Sequence, residues 1–337
     1  MLRIRSLCTA ASFGLVFNRK HYLLTIFTIP KAFRGHIAVI QRNAIQSWLK
    51  LSPACEIILF GHEEGVAKFA KEFGIRNIAD VTCTNYGTPR LNSVFEIAQC
   101  IARYSLICYV NADIILLNDF ILAVQRVKNC QFLLVGRRWR IVLDESLNFE
   151  NPAWEIKLRA YVKERGILGC NNAIDYFIFP RGLVKEMPPF SVGRPGWDNW
   201  LIYNMRNIGI PVIDATRVLM AIHQDHDYAH IPGGDGKSYE GPEANENRAL
   251  LGGASYVFTV DDATKVLTRY GLLPALTLVH LQRKLETLPV LFLNPNLLIR
   301  LYKFLLFISV TLASCAFRLH PRRRARAILR RLRTFLF

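Results

Sequence analysis

Asn111-Ala112-Asp113 closes the apolar run 106–110 and precedes a second apolar run, 114–117. A five-residue run rich in β-branched and aromatic types predicts a buried strand. Open parallel sheets bind ligands beyond the carboxyl ends of their strands, so a carboxylate emerging there is well placed for one. Aspartate is also a hard oxygen donor suited to Mg2+ or Mn2+. An N-x-D by itself would equally fit a polar turn between two strands, so its meaning depends on the other chemical groups in the chain.

Three such groups stand out. In Gly193-Arg194-Pro195-Gly196-Trp197-Asp198-Asn199-Trp200, a carboxylate sits at a helix start among bulky aromatics. Asp198 could accept a proton from a hydroxyl there, or it could simply cap the helix. The segment His223-Gln224-Asp225-His226-Asp227-Tyr228-Ala229-His230 carries three histidines in eight residues just after an apolar run. Imidazole suits borderline metals such as Mn2+ or Zn2+, which makes His223 and His226 candidate ligands beside Asp113. The His226-Asp227 pair also occurs in phosphohydrolases of the HD type, but those carry it on helices, and here the context is strand then loop. The third group is positive charge for a diphosphate: Arg90 ahead of a predicted helix, with Arg137, Arg138, Arg194 and Lys237. Helix N-termini favour anions, and Arg binds phosphate oxygens bidentately. No Walker A run, G-x-G-x-x-G or G-x-S-x-G is present, which argues against a P-loop ATPase, a dinucleotide enzyme and an esterase.

The elements that must position these residues alternate. Strands are predicted at 22–29, 56–60, 75–81 and 106–110, with helical spacing at 37–48, 66–73 and 91–102 between them. Further strands are predicted at 131–135, 174–179 and 212–222, and a helix at 199–208. Repeated β-α-β-α predicts an α/β fold with a mostly parallel sheet and helices on both faces. Residues 232–237 are Gly-rich and read as a mobile loop.

At 337 residues, 51% apolar and 20% charged, the chain can bury a full core and is not disordered in bulk. Its eight cysteines show neither C-x-x-C nor zinc spacing, and several lie in apolar runs, as buried thiols in a reducing compartment do. The net charge of +17 is uneven: residues 287–337 hold ten Arg/Lys and no Asp or Glu, leaving +7 for the rest. The longest uncharged run there, 304–317, falls short of the roughly 20 residues that span a bilayer. Beyond it Ala325, Ile328, Leu329, Leu332 and Leu336 share one helical face while Arg326, Arg330 and Arg333 lie off it. That is a basic amphipathic helix suited to anionic lipid. The expected organisation is an N-terminal extension (1–20), a main domain (21–262), a linker helix (263–286) and an apolar, then basic, membrane-associated tail (287–337).

Together, Tyr109-Val110-Asn111-Ala112-Asp113, Ile174-Asp175-Tyr176-Phe177, residues 193–200 and residues 223–230 resemble the GT-A glycosyltransferases, the nucleotide-diphospho-sugar transferase superfamily, in a little-characterised bacterial branch. The resemblance covers about residues 22–253 and implies a GT-A, Rossmann-like fold. It implies that Asp113, with His223 or His226, holds Mn2+ or Mg2+ bridging the donor diphosphate. Asn111 then stands where the D-x-D motif has its first Asp. Asp198 becomes the base. Arg90, Asn111, Arg137, Arg138, Arg194 and Lys237 fall on the donor side, and Trp197, Trp200 and Asp175 on the acceptor side. The expectation is a metal-dependent transfer of sugar to a hydroxyl of a glycan or lipid-linked acceptor at the cytoplasmic face of a membrane, through a peripheral or tail-anchored attachment. Nucleic acid is not an expected partner. The alternatives are a non-catalytic membrane or polyanion-binding adaptor, a degenerate sugar-nucleotide-binding protein, and a sugar nucleotidyltransferase. The last lacks its Gly-rich basic loop after the first strand.

Overall fold

The computed structural model describes residues 24–129, 131–226, 239–292 and Phe307. The chain divides into two compact units, Met1–Leu281 and Gln282–Phe337. The expected extension 1–20, Lys237, and all of the tail beyond residue 292 except Phe307 lie outside the described residues.

The first unit opens with β1 (Leu24–Thr28), α1 (Gly35–Leu49), β2 (Glu56–Phe60), α2 (Val66–Glu72), β3 (Arg76–Ile78), α3 (Leu91–Ile101) and β4 (Leu106–Val110). This is the predicted alternation. Every residue of β1 and β4 is buried, as expected of strands covered on both faces. The stripe Leu91, Val94, Phe95 and Ala98 on α3 is buried too. The Phe95 ring stacks on Phe179 and Tyr109, and Phe27 meets Phe60, Phe95 and Tyr109 edge-on. Truncating such a ring to Ala costs about 3–5 kcal/mol.

The chain continues through β5 (Ile114–Ile115), α4 (Asp119–Arg126), β6 (Leu133–Val135), β7 (Trp139–Val142), α5 (Trp154–Arg165), β8 (Ile167–Leu168) and β9 (Tyr176–Pro180). Then come α6 (Trp197–Asn207), β10 (Val212–Asp214), β11 (Ile222–Asp225), α7 (Pro242–Leu251), β12 (Lys265–Thr268) and β13 (Gly271–Pro274). A last helix, α8 (Leu278–Phe292), begins in the first unit. Among the described residues the main sheet has nine strands in the order β13-β12-β10-β6-β9-β4-β1-β2-β3. It is parallel except at β9, antiparallel to both β4 and β6, and at the edge strand β13. The protein is therefore an α/β fold with a mostly parallel sheet flanked by helices, as expected.

Two expectations change. The apolar run 212–222, expected as one strand, is two: β10 in the main sheet, and β11 starting at its end in a separate sheet of order β5-β11-β7-β8. Residues 263–286, expected as a linker helix, contain the hairpin β12–β13 before α8 begins at Leu278. That hairpin pairs through β12 with β10, so it belongs to the sheet.

Candidate functional site

The second sheet sets the site geometry. β5 and β11 are antiparallel, with His223 opposite Ile114 and Ile222 opposite Ile115. This register lays Asp113, the residue before β5, against the start of the histidine segment, and the Gln224 N–H donates to the Asp113 carbonyl at 3.3 Å. Buried polar groups of α1 hold the arrangement. Trp48 Nε1 donates to the Ile114 carbonyl (2.8 Å), and the Leu116 N–H to Ser47 Oγ (3.1 Å). The Gln224 side chain donates to the carbonyls of Ile40 and Asp113 and accepts from Asn43 Nδ2 (3.0 Å). Unmaking such bonds in a buried place costs the desolvation of the group left behind, so each fixes the strand.

Within this frame one ligand atom each from Asp113, His223 and His226 lies within 4.8 Å of the others. His223 Nε2 is 3.5 Å and His226 Nε2 3.4 Å from Asp113 Oδ2. The other His223 nitrogen, Nδ1, faces Asp225 Oδ1 at 3.1 Å, and Arg140 grips Asp225 through two contacts of 2.9 and 3.1 Å. A carboxylate behind a histidine fixes its ring and raises its basicity, the usual support for a metal-binding imidazole. Lys31, just after β1, adds a positive charge near Asp113. Burial alone would raise the Asp113 carboxyl; the charge and hydrogen bonds of His223, then His226 and Lys31, outweigh it and hold Asp113 well below the ordinary range. Burial lowers His223, but Asp113 and Asp225 outweigh this and raise it to about 9.

These residues fit a divalent cation. Asp113 Oδ1 is buried with no hydrogen-bond partner, which is costly unless something meets it. One carboxylate and two imidazoles form a donor set for Mn2+ or a similar ion.

Asp198 occupies the first turn of α6, entered through Gly196 at φ 103°. A Cβ at Gly196 would be strained by that φ, although Leu251, 3.4 Å away, would only be in ordinary contact with it. Burial is the main cause that raises the Asp198 carboxyl to about 6; the nearby charge of Asp175 adds to it, and backbone N–H groups of the turn oppose it. Asp175 itself is 7% exposed, pairs with Arg138 and accepts from Asn111 Nδ2 at 2.8 Å.

The other expected residues are placed as follows. Trp197 is buried against Tyr109, Phe177 and Phe95, and Trp200 against Phe190, so both rings seat α6 in the core. Arg137 donates to the Gly169 carbonyl. Arg90 and Arg194 are paired with Glu246 and Glu243 of α7. Glu243, 6% exposed, also accepts from Thr84 and Thr88 at 2.6 and 3.1 Å, tying the loop before α3 to α7. Asp225, Arg140, Gln224, Asn43 and Lys31 were not anticipated. Asp225 and Gln224 lie within the histidine segment, but no sequence signal marked the others.

No protein-family model matches this chain, and no curated protein does. Some solved structures align with part of it. TarS of S. aureus in complex with UDP-GlcNAc is 11% identical over 35% of this chain and 35% of its own, with a TM-score of 0.29. Glucosyl-3-phosphoglycerate synthase from Mycobacterium tuberculosis in complex with Mg2+ and UDP is 11% identical over 68% of this chain and 78% of its own, TM-score 0.38. GalNAc-T7 with UDP, GalNAc and Mn2+ is 11% identical over 68% of this chain and 48% of its own, TM-score 0.44. The chain spans less than two thirds of TarS: 58% in one crystal structure and 35% in the UDP-GlcNAc complex.

Proposed function

We infer that this protein is a metal-assisted glycosyltransferase of GT-A type, moving a sugar from a nucleotide-diphosphate donor to an acceptor hydroxyl. The observation that carries this reading is the convergence of Asp113, His223 and His226 just past the carboxyl end of β4, with Asp198 in the first turn of α6, whose Trp197 packs on Tyr109 of β4. Ligands bind at that end of a parallel sheet.

Asp113, His223 and His226 would hold a divalent cation, with Mn2+ or Mg2+ the ions expected of such a transferase. When bound, the cation supplies Lewis acidity that neutralises charge on a departing diphosphate. Asp225 and Arg140 keep the His223 ring oriented. Asp198 is the candidate base. The acceptor oxygen bonds to the anomeric carbon, the bond from that carbon to the phosphate oxygen breaks with its electron pair leaving on the nucleoside diphosphate, and the hydroxyl proton passes to the Asp198 carboxylate. A carboxyl raised to about 6 is ionised at neutral pH and a better base than an ordinary aspartate. Arg137 and Arg138, just past the carboxyl end of β6, would add positive charge on the donor side.

The test is thermal stabilisation by UDP, GDP, CDP and dTDP with and without Mn2+, since a ligand of the native state raises the melting temperature by mass action. A Mn2+-dependent shift with one nucleotide, lost in Asp113→Ala, supports the reading and identifies the donor base. No shift with any nucleotide turns the reading toward the adaptor.

A membrane setting has its own support. Tyr270, Leu273, Leu276, Leu278 and Val279 are exposed, Arg269 lies over the Tyr270 ring, and the sequence beyond is apolar, then basic. Attachment to an anionic, cytoplasm-facing membrane fits this composition, and a lipid-linked acceptor would suit it. Co-sedimentation of the full chain with vesicles containing phosphatidylserine, against neutral vesicles, tests it; equal recovery with both would refute it.

A further inference from the structure

Asn111 occupies the position of the first Asp in a D-x-D motif, yet its side chain is committed elsewhere. β4 and β9 are antiparallel, with Val110 opposite Tyr176 at the end of the ladder. One step further brings Asn111 opposite Asp175, and the Asn111 N–H donates to the Asp175 carbonyl at 3.0 Å. The side-chain amide then donates to Asp175 Oδ1 at 2.8 Å, while Arg138 takes Oδ2. Both oxygens of a nearly buried carboxylate are thus met by donors from two separate segments, one after β4 and one before β7. Asp113, two residues on, faces His223 and His226 instead.

We propose that Asn111 is a positioning residue that locks Asp175 together with Arg138, and that it is not a ligand of the metal. The pairing stands on geometry alone; only the purpose of Asp175, a charge held beside the candidate base, rests on the transferase reading. An Asp at 111 has no donor to offer and would set a second carboxylate against Asp175 where little water reaches. The N-x-D of this chain is then dictated by the residue across the ladder, and is not an eroded D-x-D.

The full chain tests this through Asn111→Ala, Asn111→Asp, Asp175→Asn and the exchange N111D/D175N, with Asp113→Ala as control. Mn2+ affinity is read from the paramagnetic resonance of free Mn2+, and stability from thermal unfolding. Asn111→Ala should bind Mn2+ within about threefold of the parent, while Asp113→Ala should lose on the order of 100-fold or more. Asn111→Asp should melt several degrees lower without binding Mn2+ more tightly. The exchange, which again sets one amide against one carboxylate, should recover most of that loss. With an active transferase, Asn111→Ala should lower kcat while the Mn2+ concentration for half-activity stays unchanged. A Mn2+ affinity about tenfold weaker in Asn111→Ala, or about tenfold tighter in Asn111→Asp, would overturn the proposal; so would Asn111→Asp with undiminished stability. If the parent protein binds no Mn2+, the metal reading fails, and the unfolding set still decides this one: loss in Asn111→Asp with recovery in the exchange upholds it, and no loss overturns it.

Discussion

Replacing Asp198 with Asn should make the protein more stable and less active, and the stability gain should depend on pH. The folded carboxyl is raised from 3.8 to about 6, chiefly by burial and further by Asp175. At well below pH 3.8 both folded and unfolded chains carry the proton, and the charge costs nothing. Between about pH 4 and 6 the unfolded chain ionises first, so the cost of the buried charge grows; above about 6 it is constant. A rise of roughly two units corresponds to about 3 kcal/mol. The side chain is partly exposed, and the turn's N–H groups bond a charge better than an amide, so about half of that, ~1.5 kcal/mol, is expected to be recovered. In a chain of this size that is a melting shift of about 2 °C. Unfolding of both proteins at several pH values between 4 and 8 should show the Asn variant drawing ahead as pH rises. A gain flat across that range, or a loss at pH 8, would refute burial of a charge as the cause. The same variant should lose on the order of 10²–10⁴-fold in kcat, and the parent's kcat should fall tenfold per unit below about pH 6.

Other perturbations separate the parts of the site. Arg140→Ala frees Asp225 and should weaken Mn2+ binding about tenfold with little change in melting, as measured by titration calorimetry. Asn43→Ala removes the donor to Gln224 and the acceptor for the Leu147 N–H; about 1–3 kcal/mol should be lost in urea unfolding. Glu243→Ala leaves Arg194 without its partner beside Thr84 and Thr88, and should cost about 2–3 kcal/mol in the same assay, with Glu243→Gln recovering part. Gly65→Ala should lower the melting temperature more than Gly209→Ala, since both have positive φ but of the two only Gly65 has a neighbour in the way of a Cβ, the Phe33 Cβ at 2.8 Å.

The first four strands and three helices were legible because their apolar spacing is clean and punctuation such as Pro30, Gly61 and Gly74 bounds several of them. The gathering of Asp113, His223 and His226 within 4.8 Å of one another was legible because chemically distinctive residues follow apolar runs. The split of 212–222 went unread although Asp214, Thr216 and Arg217 interrupt its apolar residues: the Thr216 N–H and hydroxyl both donate to Asp214 Oδ1 in a turn that ends β10, but nothing in the local pattern says that the chain resumes in another sheet. Helix α5 went unread because only Leu158 and Val162 of its twelve residues are buried, leaving no stripe to detect. The β12–β13 hairpin turns at Arg269-Tyr270 without the Asn-Gly signal that usually identifies a tight turn. The aromatics at 197 and 200 announced a special site but not the direction of their rings. The partner of Asn111 lies 64 residues away and is set by an antiparallel strand inserted into a parallel sheet, a relation that local pattern does not encode.

The register of β5 against β11 also bears on how the molecule comes into being. Asp113 is joined to Gln224 across 111 residues, and Asn43 to Gln224 across 181. Contacts of such separation carry a large loop-closure cost and form late. During synthesis, a chain grown only as far as β10 can seat the 113–116 segment on α1, yet it has one of the three candidate ligands. Residues 222–226 must emerge before the other two candidate ligands can reach Asp113, and α7 and the β12–β13 hairpin follow later still; under the proposed reading, uptake of a cation would report closure of the β5–β11 pairing, and an ion bound then would help to retain it.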